Sequence, residues 1–111
     1  MVIQKNCEFV TEVSAPTTSI IFPNSTGDIL TLQISCDEGV YSIEGRNNNK
    51  TDAWFPLAGI SLSDFSVVKG GFKKAGMYDI GIAGVRELRA RVESVNGSVS
   101  LFGQIISAEE T

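Results

Sequence analysis

The residues of this sequence that could do chemistry are few, and one absence narrows them further: none of the 111 residues is a histidine. That removes the commonest general base and the commonest transition-metal ligand, and with them serine–histidine and cysteine–histidine catalysis. Thirteen acidic residues could supply a carboxylate pair of the glycosidase kind, but no spacing in the sequence assembles one. Gly70-Gly71-Phe72-Lys73-Lys74 has a superficial likeness to a phosphate loop, yet it lacks the spacing and the Ser or Thr that would hold magnesium. It reads as a hairpin turn with exposed lysines. Asp37-Glu38 lacks the alternating acids of a calcium loop. Cys7 and Cys36 are too few for a disulfide framework or a zinc site. Cys36 reads as a reduced, small core side chain, with a Cys7–Cys36 bridge as the alternative. The expectation is a protein that is not an enzyme and that needs no cofactor or metal.

What remains is binding chemistry. Trp54-Phe55-Pro56-Leu57 follows a polar loop, Asn47 to Asp52. Adjacent strand residues point to opposite faces, so one of the two aromatics should enter the core and the other should be more exposed. Trp54, with Asn48, Asn49 and Asp52, forms a candidate contact for a glycan or a protein partner. Charge supplies the second candidate. Residues 69–91 carry six basic side chains, Lys69, Lys73, Lys74, Arg86, Arg89 and Arg91, against two acids, although the net charge is −4. Lys73, Lys74, Arg86, Arg89 and Arg91 are a candidate interface, with the Arg89 and Arg91 face meeting an acidic surface on a neighbouring copy. The competing reading of that face is the wet side of an edge strand. Nucleic acid is a poor fit, because a net-negative chain would depend on this segment alone, with only Phe72 and Tyr78 near it to stack on bases.

These side chains must be positioned by strands. Period-two alternation runs from end to end, while no dozen residues keep the three- and four-residue apolar spacing of a helix. Leu30, Leu32, Ile34 and Cys36 share one face of Asp28 to Asp37. Tyr41 and Ile43 do so in Val40 to Arg46, and Tyr78, Ile80 and Ile82 in Met77 to Ile82. Leu88, Ala90 and Val92, then Val99, Leu101, Gly103 and Ile105, alternate on either side of Asn96-Gly97, which predicts a β-hairpin over Glu87 to Ile106. Glycine-rich turns separate seven to nine short strands. The predicted fold is an all-β antiparallel sandwich, jelly-roll-like or Ig-like, with a small β-barrel as the alternative.

The length suits one domain spanning 1–111, able to bury roughly two thirds of its unfolded surface. Hydrophobic residues make up 42% and charged residues 20%, as in globular chains. Apolar runs such as Ile20 to Phe22 fall far short of the ~20 residues that cross a bilayer, and the N-terminus lacks the features of a secretion signal. No membrane partner is expected. The Asn-x-Ser/Thr triplets at Asn24, Asn49 and Asn96 therefore read as chance.

Tyr41-Ser-Ile-Glu-Gly-Arg46, Ala53-Trp-Phe-Pro-Leu57, Gly76-Met-Tyr-Asp-Ile-Gly-Ile82, Gly84-Val-Arg-Glu-Leu-Arg-Ala-Arg-Val92 and Gly97-Ser-Val-Ser-Leu-Phe-Gly103 together resemble a pattern in small β-sandwich proteins of tailed-bacteriophage and prophage virions. The resemblance covers about residues 39 to 106. It implies a virion component, of the head decoration, the head–tail junction or the tail and baseplate, that forms homo-oligomers and docks on other virion proteins. The strand–loop–tryptophan pattern also looks like carbohydrate-binding sandwich modules, which gives the alternative of a glycan site at Trp54 and the Asn47–Asp52 loop.

Overall fold

Alternating side chains need a shared interior, and the chain provides it by laying two antiparallel sheets face to face. The structure is a computed structural model that describes residues 2–47 and 53–108. Its strands are β1 (Val2–Val13), β2 (Thr17–Thr18), β3 (Phe22–Pro23), β4 (Ile29–Ile34), β5 (Gly39–Arg46), β6 (Phe55–Pro56), β7 (Gly59–Ser61), β8 (Val67–Val68), β9 (Gly76–Gly81), β10 (Glu87–Val95) and β11 (Val99–Ala108). A six-stranded sheet runs β1-β11-β4-β9-β7-β8, and a second sheet runs β2-β10-β5-β6 with β3 also paired to β10. The sheets stay open, so the architecture is a sandwich and not a closed barrel. Among the described residues there are eleven strands where seven to nine were expected. The surplus is β2, β3, β6 and β8, two-residue pairings too short to show alternation.

The inward rows fill the space between the sheets. Leu30, Leu32, Tyr41, Ile43, Ile80, Ile82, Leu88, Ala90, Val99 and Leu101 are fully buried, each large apolar side chain stabilising by about 2 kcal/mol relative to exposure. Phe9 packs edge-on against Phe22 at 4.9 Å, and Phe72 against Tyr78 at 4.7 Å. Cys7 is buried and Cys36 half-buried, and both are free thiols, so no bridge links them. Cys36 lies beyond the end of β4 and packs at the margin of the core. The N-terminal strand pairs in its own sheet, from Val2 opposite Ala108 to Val13 opposite Val99, with two irregularities in its second half.

The expected hairpin does not form. β10 pairs with β5 and β11 lies between β1 and β4, in the other sheet. The Asn96-Gly97 corner therefore crosses between sheets. The two-residue hairpin turn needs positive φ at both central positions, but only Gly97 has it, at 107°. Asn96 is instead held by Glu38, its N–H on the Glu38 carbonyl at 2.7 Å and its Nδ2 on the Glu38 carboxylate at 2.8 Å. Gly70-Gly71 is likewise no simple hairpin. It leads out of β8 to Phe72, which bridges to Tyr41 of the opposite sheet.

Candidate functional site

The outer face of the smaller sheet carries a compact group of paired charged side chains. Glu44 lies opposite Arg89 and Glu87 opposite Arg46 across the β5–β10 pairing. All four point away from Ile43, Leu88 and Ala90, as strand alternation requires. The Arg89 Nε donates to Glu44 at 2.8 Å and the Arg46 Nε to Glu87 at 3.0 Å. Glu44 is buried, with only 7% of its surface exposed, so Arg89 is the counter-charge that permits its burial. Trp54 lies on this square. The Arg46 and Arg89 Cζ atoms are 4.2 and 4.3 Å from its ring centre, within cation–π range.

This placement corrects the reading of the tryptophan strand. Neither aromatic enters the core: Trp54 is half-buried on the arginines, and Phe55 is 64% exposed. Leu57 is the residue of this stretch that packs against the core. Of the other residues expected to bind with Trp54, Asn48, Asn49 and Asp52 lie outside the described residues. Asn47 is described, and its Oδ1 accepts the Arg86 N–H at 2.8 Å.

The basic residues of 69–91 do not make one surface. Arg89 is engaged by Glu44 and Trp54. Arg91 is exposed on β10, 3.9 Å from Glu93 of the same strand. β10 is an interior strand, with β5 on one side and β2 and β3 on the other, so its outer face is not that of an edge strand. Arg86 lies at one end of the sandwich, and Lys73 and Lys74 lie in the segment between β8 and β9.

Arg86 borders an open groove of ≈ 700 Å³, shared with Lys5, Ser25, Asn47 and Val85. A smaller depression of ≈ 420 Å³ adjoins it through Asn47 and Val85, and is lined by Phe55 and Leu57. Amides, cations and an exposed aromatic ring thus meet at one end of the sheets. Asn24, at the groove wall, has its polar atoms satisfied by the backbone. Its Oδ1 accepts from Gly27 N–H at 2.8 Å and its Nδ2 donates to the Val85 carbonyl at 2.8 Å. Among the described residues no group of three or more Cys, Asp and Glu side chains is placed to hold a metal ion.

Lys5, Phe55 and the glutamate partners were missed from sequence. The alternation of unlike charges in Glu44-Gly-Arg46 and Glu87-Leu-Arg89 is the signal for the ion-pair square. Lys5 and Phe55 carry no comparable signal.

Comparison of the sequence with protein-family models and with curated proteins finds no match. Solved structures do match. The SPBc2 prophage-derived protein YomS superposes with a TM-score of 0.85 at 21% identity, over 96% of each chain. The PBSX exported protein XepA superposes with a TM-score of 0.83 at 16% identity, over 96% of this chain and 38% of XepA. The chain thus spans little more than a third of XepA and nearly all of YomS. The likeness to phage and prophage β-sandwich proteins read from residues 39–106 is a likeness of fold, and it extends over almost the whole chain.

Proposed function

We propose that this chain is a non-enzymatic building block of a phage or prophage particle, acting by self-assembly and by docking on other virion proteins. The observation that carries this reading is the end-to-end correspondence with a prophage-derived protein of matching length. The composition agrees with it. Without histidine, and with Glu44 and Glu87 occupied by arginines, the charged cluster on the smaller sheet does packing work instead of proton transfer. The choice among head decoration, head–tail junction and baseplate rests on the same reading, and each requires repeated contacts between copies or with neighbours. Molar mass by light scattering over a wide concentration range tests the self-assembly. A discrete oligomer supports it, and a monomer throughout restricts the role to docking on a different virion protein.

A second reading has one specific observation in its favour. The groove beside Asn47 and the exposed Phe55 suit a glycan, with an aromatic ring and hydrogen-bonding amides at one end of the sandwich. Phe55 replaces Trp54 as the stacking group, while Trp54, the sole tryptophan, reports the event. A saccharide panel that leaves its fluorescence unchanged removes this reading.

A further inference from the structure

The two edges of the six-stranded sheet carry an excess of opposite charge, three lysines against Asp64 beside β8 and two glutamates against Lys5 on β1. The six-stranded sheet ends on one side at β8 and on the other at β1. Beside β8, Lys69, Lys73 and Lys74 ring an open bowl of ≈ 530 Å³ with the hydroxyl-bearing Ser61, Ser63 and Ser66. None of these lysines has a carboxylate within ion-pair distance among the described residues. Asp64, the one acid lining the bowl among the described residues, is held within its own turn: its Oδ1 accepts the Ser66 N–H at 3.0 Å and the Ser66 hydroxyl at 2.7 Å. The bowl therefore sets three lysines against the one carboxylate of Asp64, an excess of positive charge, with its serine hydroxyls bonded to Asp64 and to one another.

The β1 side is its complement. Glu8 and Glu12 are exposed and have no ion-pair partner among the described residues. Lys5 of the same strand donates to the Pro23 carbonyl at 3.3 Å. Glu12 sits in the irregular half of β1 with φ of 48°, its own N–H on the Ser100 hydroxyl at 2.9 Å. Such irregularities re-aim side chains and blunt strand-to-strand pairing. This edge thus suits contact by side chains better than continuation of the sheet. Apolar groups accompany the charges on both sides. Phe65 and Val67 are 76% and 61% exposed next to the bowl, and Ile20 is 73% exposed in the link to β3, which the Phe9–Phe22 contact holds against β1.

We propose that copies associate head to tail, the Glu8 and Glu12 carboxylates of one copy entering the Lys69, Lys73 and Lys74 bowl of the next. This rests on the building-block reading and gives it a surface. Because the two patches differ, the contact is heterologous and repeats from copy to copy, closing into a ring or extending as a filament. Opposite charge sets the register, and exposed apolar side chains supply the area.

The test uses two charge-reversed variants, Lys73→Glu with Lys74→Glu and Glu8→Lys with Glu12→Lys, checked for folding by circular dichroism. All four side chains are exposed, so both variants should fold. Sedimentation velocity at low salt should show wild-type association, and association about a hundredfold weaker in either variant alone, since like charges then face each other. An equimolar mixture should recover association, because each variant again offers the other a complementary patch. Variants that associate as the wild type does, or a mixture that stays monomeric, overturn the proposal. The first result leaves the building-block reading standing on another surface. A wild type that is monomeric at every concentration overturns both the proposal and self-assembly.

Discussion

Replacing Trp54 by alanine separates a packing role from a ligand-binding one, and the structure sets the size of the effect. The indole stacks on two guanidinium groups at 4.2 and 4.3 Å. At exposed positions each such interaction is worth about 0.5–1 kcal/mol, so the pair gives about 1–2 kcal/mol. The indole is half-buried, and the apolar area it covers adds about 1 kcal/mol. Trp54→Ala should therefore cost about 2–3 kcal/mol, a sizeable part of the 5–15 kcal/mol typical of a domain. Arg89→Met should cost a similar amount by a different route. It leaves the buried Glu44 carboxylate without its counter-charge, worth about 2–3 kcal/mol where the site retains some access to water. Because Trp54 and Arg89 touch, the double variant should lose about 0.5–1 kcal/mol less than the sum of the single ones. Urea titrations followed by far-ultraviolet circular dichroism measure all four proteins. A Trp54→Ala variant within about 0.5 kcal/mol of the wild type, the range of an inert surface change, refutes the stacking argument.

Three further outcomes follow from the core and its margins. Asn24→Ala removes a buried side chain that accepts from Gly27 and donates to the Gly27, Ile82 and Val85 carbonyls, so it should cost about 3 kcal/mol in the same titration. Gly103→Ala places a Cβ 2.6 Å from Leu30 Cδ1 and 2.9 Å from Phe9 Cε2. It should destabilise by about 1–3 kcal/mol through overpacking, whereas Gly81→Ala meets no atom within 4 Å and should be close to neutral in packing. Burial raises the phenols of Tyr41 and Tyr78 above their ordinary range, with a hydrogen bond to Cys36 adding to the effect at Tyr41. Groups raised in the folded state contribute stability that is full below the unfolded value near pH 10 and is lost as pH climbs past it. Absorbance at 295 nm should show both tyrosines ionising at higher pH in the folded protein than in the protein unfolded in urea.

The sequence is most legible where one face of a strand is buried. Leu30, Leu32 and Ile34, Tyr41 and Ile43, and Leu88, Ala90 and Val92 all face inward as their alternation requires. Alternation says which way a side chain points and nothing about which sheet a strand joins. That is why Asn96-Gly97 reads as a hairpin corner when it is a crossing between sheets. The turn residues supply a tight reversal, but Glu38, far off in the chain, holds Asn96 and fixes where the next strand goes. Trp54 is legible as a large aromatic after a polar loop, and its partners are not. Arg46 and Arg89 meet it only because β5 and β10 pair in one particular register. The basic run from Lys69 to Arg91 is legible as charge and misleading as a surface, since the chain passes through both sheets within it.

That this chain is a component of a particle is tested most directly by quantitative mass spectrometry of purified particles from a strain carrying its coding sequence. The chain should co-purify with the particles at a fixed copy number relative to their major structural protein, and the ratio should survive repeated density-gradient purification. A chain that is expressed alongside the particles but is absent from them after the first gradient would contradict it.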